Sequence, residues 1–268
     1  MDGNLDPADR EALDRARRLL ENPGLAVKLT DLVGRPVEWG LARLPARAQG
    51  LVTSATRKAL EGALTAAIRS LDAGEGGPPR DALHRLSVIG TGVVGGFFGL
   101  AALPLELPVS TTLMLRSVAD HARAQGEDLS SIEGRLGCLT VFALGGRTAA
   151  DDAGETGYFA VRLALARAVA EAAEFLAARA SANVVADGSA PVLARLIARV
   201  AARFGPVVAE KAAAQLAPVA GAVGGAAINT LFMNHYQDVA WGHFTVRRLE
   251  RRYGPDAVRR AYDALAPR

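Results

Sequence analysis

Residues 86–105 read LSVIGTGVVGGFFGLAALPL, with five glycines and no charged side chain. A helix needs about 20 apolar residues to cross a bilayer, so length alone would allow a membrane span. Gly92, Gly95, Gly96 and Gly99 also set two overlapping G-x-x-x-G spacings, which let a neighbouring backbone approach closely. A second stretch, Leu216–Met233 (LAPVAGAVGGAAINTLFM), repeats the device, with Gly221-Ala-Val-Gly224-Gly225 answering Gly92-Val-Val-Gly95-Gly96. The two stretches are expected to meet. Pro104 and Glu106 end the first one abruptly and no aromatic belt flanks it. Three readings stay open: a buried core helix, which the glycine spacing favours, a membrane-inserted or re-entrant hairpin, and the wall of a lipid-lined cavity. A phosphate cradle is excluded, because no G-K-[ST] follows and no strand precedes the glycines.

Over the whole chain, half of the 268 residues are apolar and only 5% aromatic. No segment alternates apolar with polar as a half-buried strand does, so the class is all-α. The expected architecture is a multi-helix bundle around two glycine-rich helices, about 86–103 and 219–250. The formal charge is +3, with acids and bases interspersed, so no nucleic-acid partner is expected. The densest basic cluster is Arg247, Arg248, Arg251, Arg252, Arg259 and Arg260. It reads as a solvated helix end complementing the helix dipole, or as a contact for anionic lipid headgroups. The single cysteine, Cys138, sits among apolar neighbours and excludes a disulfide framework or a cysteine-based zinc site. The polar start MDGNLDPADREALDRA carries no secretory signal, which makes the expected location cytoplasmic, or peripheral at the inner face of the membrane.

Punctuation residues divide the chain. Asp6-Pro7 opens a helix that Asn22-Pro23-Gly24 stops, a short helix covers Leu25–Val33, and apolar residues at helical spacing run from Ala46 to Leu71. Ala73–Arg80 (AGEGGPPR) is a linker. Residues 1–72 are read as a helical extension packing on a core of residues 81–268, with one domain favoured overall. Asp81 is expected to cap a helix reaching about Ala102, and Leu107-Pro108 to start the next, which Gly126 closes. Ser130 and Glu133 form a capping-box pattern for a helix that Gly145-Gly146 ends. A long helix follows from Gly157 to about Ala180, then one from Pro191 that Gly205-Pro206 ends, a next one that meets Pro218, and one from Val219 to Arg252. Gly254-Pro255 precedes a last short helix.

Glu106 is the most informative ionisable residue, held between Pro104 and Pro108. A buried carboxylate needs a cation or a helix N-terminus, so Glu106 is either a structural cap or a binding or proton-transfer group. Arg116 lies too far along for a local pair. On the last long helix Asn229, Met233, Tyr236, Ala240, His243 and Arg247 share a face by their spacing. His235 and Asp238 are three apart, which would let a carboxylate orient an imidazole. They lack the H-E-x-x-H pattern, so no metal and no cofactor is expected. Ser110, Thr111 and Cys138 lack the context of a hydrolase nucleophile.

Three segments in register resemble one family. They are Gly92–Pro108 (GVVGGFFGLAALPLELP), Thr111–Leu129 (TTLMLRSVADHARAQGEDL) and Gly221–Glu250 (GAVGGAAINTLFMNHYQDVAWGHFTVRRLE). Together they are similar to the EcsC family of bacterial proteins, over about residues 20–252. The resemblance implies an all-helical protein from a family named after a gene beside those of an ABC exporter. The family's glycines fall on Gly95 and Gly96, its acidic residue on Glu106, its arginine on Arg116 and its asparagine on Asn229. His121 stands where the family has an aliphatic residue, and Gln125 where it has an aromatic one. The leading functional expectation is a non-enzymatic, membrane-associated accessory protein that binds lipid or a membrane-protein partner, with an ABC exporter suggested by the resemblance alone. Competing with it are a hydrolase-like enzyme with a polar pocket around Glu106, Arg116, Asn229 and His243, and a purely structural bundle. Candidate binding residues are Glu106, Arg116, Asn229, His235, Asp238 and His243.

Overall fold

A computed structural model describes residues 5–21, 25–33, 40–42, 44–71, 79–88, 99–146, 157–178, 190–215 and 222–265. Their regular structure is entirely helical. In chain order the helices are α1 (Pro7–Glu21), α2 (Leu25–Val33), α3 (Ala46–Ser70), α4 (residues 81–88), α5 (Leu103–Ala124), α6 (Ile132–Leu144), α7 (Gly157–Ala178), α8 (Pro191–Gln215), α9 (Ala222–Tyr253) and α10 (Pro255–Asp263).

The bundle is assembled on α9. Its 32 residues span about 48 Å at 1.5 Å per residue. Ile228, Phe232, Met233, Tyr236, Val239, Ala240, Phe244, Val246 and Leu249 are all buried, so α9 is apolar on several sides, as a central helix must be. Helices α1, α2, α5, α6, α8 and α10 pack against it. Gly242 is what lets α1 close: a Cβ there would sit 3.0 Å from the Ala16 carbonyl oxygen and 3.0 Å from Leu20 Cγ. At the crossing of α6, α8 and α9, Phe142, Phe204, Phe232 and Tyr236 interlock with ring centroids 5.1–6.1 Å apart. These are offset and edge-on aromatic contacts, worth about 0.5–1.5 kcal/mol per pair beyond area burial. Helix α3 covers α5 and α8 with Val52, Ala55, Ala59, Leu60, Ala63, Leu64 and Ala67, all buried and at helical spacing.

Several boundaries differ from expectation for identifiable reasons. Helix α8 does not stop at Gly205-Pro206 but continues through Pro206 to Gln215. The ring removes the donor that would reach the Ala202 carbonyl, yet Ala202 is exposed and water can serve it, while buried Phe204, Val207 and Val208 hold the helix in place. Helix α5 begins at Leu103, directly after a 3-10 turn at Gly99–Ala102, rather than at Leu107. Pro104 lies in the first turn, where its missing N–H costs nothing, and Pro108 would have served only the half-exposed Pro104 carbonyl. Glu106 is therefore part of the first turn of α5, not of a link between helices. The Ser130–Glu133 pattern is offset by one: Ser131 is the cap, its Oγ accepting from Gly134 N at 3.0 Å.

Gly126 has φ 78° and closes α5 with Gly126 N donating to Arg123 O (2.9 Å) and Glu127 N to Ala122 O (2.9 Å). That is the left-handed glycine motif, which turns Glu127 back toward α9. Residues 89–98 and 216–221 lie outside the described residues. The expected contact between Gly92–Gly96 and Gly221–Gly225, and the run of one helix from 81 to 102, fall there, as does the linker at 73–78.

Candidate functional site

Residues on either side of the undescribed part of the glycine-rich stretch meet at one buried polar group. Val88 is the last described residue of α4, and Glu106 lies in the first turn of α5. Asn229 of α9 reaches both: its Nδ2 donates to Glu106 Oε1 at 2.8 Å and lies 3.4 Å from the Val88 carbonyl oxygen. Lys211 Nζ of α8 donates to the same Oε1 at 2.6 Å, and Gln215 Nε2, one turn on, reaches Oε2 at 3.5 Å. Lys211 is 0% exposed, and the Glu106 side chain 2%. The ammonium also sits 4.9 Å from the centre of the Phe232 ring, an attractive cation–π placement. Two charges removed from water this completely persist only as a pair with further hydrogen bonds, which the two amides provide. The first turn of α5 adds its positive dipole end on the carboxylate side.

Arg116 lies ten residues beyond Glu106, about 15 Å along α5, and faces a different environment. It is exposed and lines a cleft of about 330 Å³ between α4 and α5, together with Arg80, Leu83, His84, Asp120 and Arg123. Asp120 is the hub of that cleft. Its Oδ2 accepts from His84 Nε2 at 3.0 Å and Arg80 Nε at 3.2 Å, and its Oδ1 from Arg123 Nη1 at 2.7 Å. Burial raises the Asp120 pKa, but the His84 and Arg80 hydrogen bonds outweigh it and hold the carboxyl below its usual range.

The histidines do not join Glu106. His243, fourteen residues or about 21 Å along α9 from Asn229, is buried with Nδ1 2.9 Å from the Tyr158 hydroxyl. It borders a separate cleft of about 360 Å³ with Glu127, Arg162, Arg247 and Arg251. His235 packs its Nε2 2.8 Å from the Gly145 carbonyl oxygen, and burial pushes its pKa down to about 4. Asp238 is not its orienting carboxylate; it lies 3.7 Å from Lys28 Nζ of α2. Among the described residues no group of histidine, cysteine and carboxylate side chains could hold a metal. Cys138 is buried and its thiol is pushed up to about 12, which removes it as a nucleophile.

The structure thus brings together Glu106 and Asn229, and separates them from Arg116, His235, Asp238 and His243. A single pocket holding Glu106, Arg116, Asn229 and His243 is not formed. Lys211 and Gln215 escaped sequence reading, although VVAEKAAAQL shows a lysine and a glutamine four apart on an otherwise apolar helix face. Of the C-terminal arginines, Arg251 and Arg252 lie exposed in the last turn of α9, as expected of a solvated helix end, but ion pairs are added to that role. Arg247 and Arg251 grip Glu127, and Arg248 and Arg252 grip the buried Asp9, so four of the six join α9 to the α5–α6 connection and to α1.

A family model described as the EcsC protein family matches residues 74–249, well over half of the chain. No curated protein and no solved structure matches.

Proposed function

The chain belongs to the EcsC family, and from that premise we propose that it is a non-enzymatic protein that rests on a membrane surface through the exposed apolar side chains of α4 and the start of α5. One observation carries this reading: Leu83 and Leu86 on α4 are 55% and 67% exposed, and Leu105 and Val109 on α5 are 75% and 50% exposed. Leu86 and Leu105 are the two ends of the uncharged stretch, and Leu83 and Val109 lie three and four residues beyond them in sequence. Leu83 and Leu86 share a face of α4, and Leu105 and Val109 a face of α5, by their spacings of three and four. An exposed apolar surface beside an uncharged, glycine-rich segment is the composition of an interfacial anchor. Arg80 and Arg116 stand at its polar edge, as arginines do beside anionic headgroups.

No helix among the described residues is long and apolar enough to cross a membrane, and the proposed mode is lying in the interface. Glu106, Lys211, Gln215 and Asn229 serve that mode by fixing Val88 of α4 and the first turn of α5 to α8 and α9. Lys211, Gln215 and Asn229 all donate to the Glu106 carboxylate, which supports a structural role over catalysis.

Flotation of the full chain with lipid vesicles tests the reading. Wild type should float with phosphatidylcholine–phosphatidylglycerol vesicles, and L86D/L105D, which alters two exposed positions, should fold normally and stay in the dense fraction. Wild type that never floats with any vesicle would overturn the proposal. Binding to native membranes but not to protein-free vesicles would replace it with a membrane-protein partner.

A further inference from the structure

We propose that the cleft between α4 and α5 binds a phosphate group, which the membrane reading above makes the phosphate of an anionic lipid headgroup. The proposal rests on that reading and gives the surface its chemical selectivity.

Three guanidinium groups, Arg80, Arg116 and Arg123, face a single carboxylate, Asp120, in the cleft of about 330 Å³. Asp120 is already committed: Arg80, His84 and Arg123 occupy both of its oxygens. The site therefore keeps an excess of positive charge that nothing within it neutralises. Arg116 makes no hydrogen bond and no ion pair among the described residues, whereas Arg247, Arg248, Arg251 and Arg252 are all paired with carboxylates. An exposed, unpaired guanidinium beside two others presents the planar donor fork that matches phosphate oxygens.

The walls of the cleft are apolar on one side, with Leu83 and Leu113. Leu105, Val109 and Arg116 recur at spacings of four and seven, so they lie along one exposed line of α5. Seven residues separate Val109 from Arg116, about 10 Å along the helix, comparable to the roughly 5–10 Å to which interfacial helices sink. A headgroup phosphate at Arg116 is then compatible with acyl chains against Val109 and Leu105.

The test compares wild type, R116A and R116E on neutral phosphatidylcholine vesicles, on vesicles containing phosphatidylglycerol, and with inorganic phosphate by calorimetry. Thermal melts of each variant verify folding, which this exposed and unpaired position should not disturb. The expected result is weaker binding to the anionic vesicles by about 5-fold for R116A and about 30-fold for R116E, with neutral-vesicle binding unchanged. Saturable phosphate binding that R116E abolishes, in a protein that binds no vesicle, would keep the phosphate site, reject its lipid source and sink the membrane reading. Wild type and R116E binding anionic vesicles equally would overturn the site while leaving the membrane reading intact. Absence of both vesicle and phosphate binding would overturn both.

Discussion

His235 holds its ring against the Gly145 carbonyl inside the core, and a side chain at residue 145 would press on that contact, with a Cβ 3.1 Å from Nε2. Burial lowers the His235 pKa to about 4, lowers that of His243 well below the ordinary histidine value of 6.5, and lowers that of His121 despite the nearby Asp81 and Asp120 carboxylates. An unfolded chain binds protons on these rings below pH 6.5 while the folded chain refuses them. Their stabilising contribution is therefore complete above that pH and drains away as the pH falls toward 4. The carboxylates act in a lower window, since Asp9, Asp120 and Glu127 are held below their ordinary values by arginine, tyrosine and histidine partners that outweigh burial. Urea unfolding measured across this range should show stability falling on acidification from pH 6.5. In H235Q the slope should be shallower by about 1.4 kcal/mol per pH unit, the contribution of one proton. A slope identical to wild type would contradict the buried neutral imidazole. Burial of His235 could be read from its place in an apolar helix, but its partner could not, because Gly145 is ninety residues away in sequence and only packing selects it.

At the scale of elements, the Glu106–Lys211 pair ties α5 to α8 while Asn229 ties Glu106 to α9 and to the last described residue of α4. Removing one partner leaves the other charge buried and uncompensated, which costs about 3–5 kcal/mol, whereas replacing both with apolar side chains of similar volume is often close to neutral. Chemical denaturation should show E106Q and K211M each destabilised by that amount, and E106L/K211M much less than the sum of the two single losses. Additive losses would show that the two side chains do not act as a pair. Helix ends were largely legible from residue chemistry: Asp6-Pro7, Gly126 and Gly254-Pro255 mark real boundaries, because a fixed φ or a left-handed glycine leaves little choice. Pro104, Pro108 and Pro206 were misleading for a tertiary reason. Pro104 lies in the first turn, where no donor is missed. Pro104 and Ala202, whose carbonyls Pro108 and Pro206 leave without a donor, are at least partly exposed, and burial of the flanking side chains carries the helix through.

Across the whole molecule, the all-α class is legible in the sequence, as is the need of Glu106 for a buried partner; Asn229 is joined to it there only within a pocket that also holds Arg116 and His243, which the fold keeps apart. Lys211 remained hidden because its contact with Glu106 spans 105 residues of sequence and only packing selects it. The organising helix proves to be α9, and the segment at 86–105 draws its importance from where its ends are tied and from the leucines exposed beside it. Exposure alone does not single out these residues, since Leu163 on α7 is 76% exposed, as much as Leu105 at 75%. That pair supplies the most direct measurement. An environment-sensitive fluorophore can be placed on L86C, L105C or L163C without labelling Cys138, whose thiol is buried and pushed up to about 12. On addition of vesicles containing phosphatidylglycerol, the emission from positions 86 and 105 should shift to the blue while that from 163 stays unchanged. No shift at 86 and 105, or an equal shift at all three positions, would contradict a membrane-resting end built around residues 86–105.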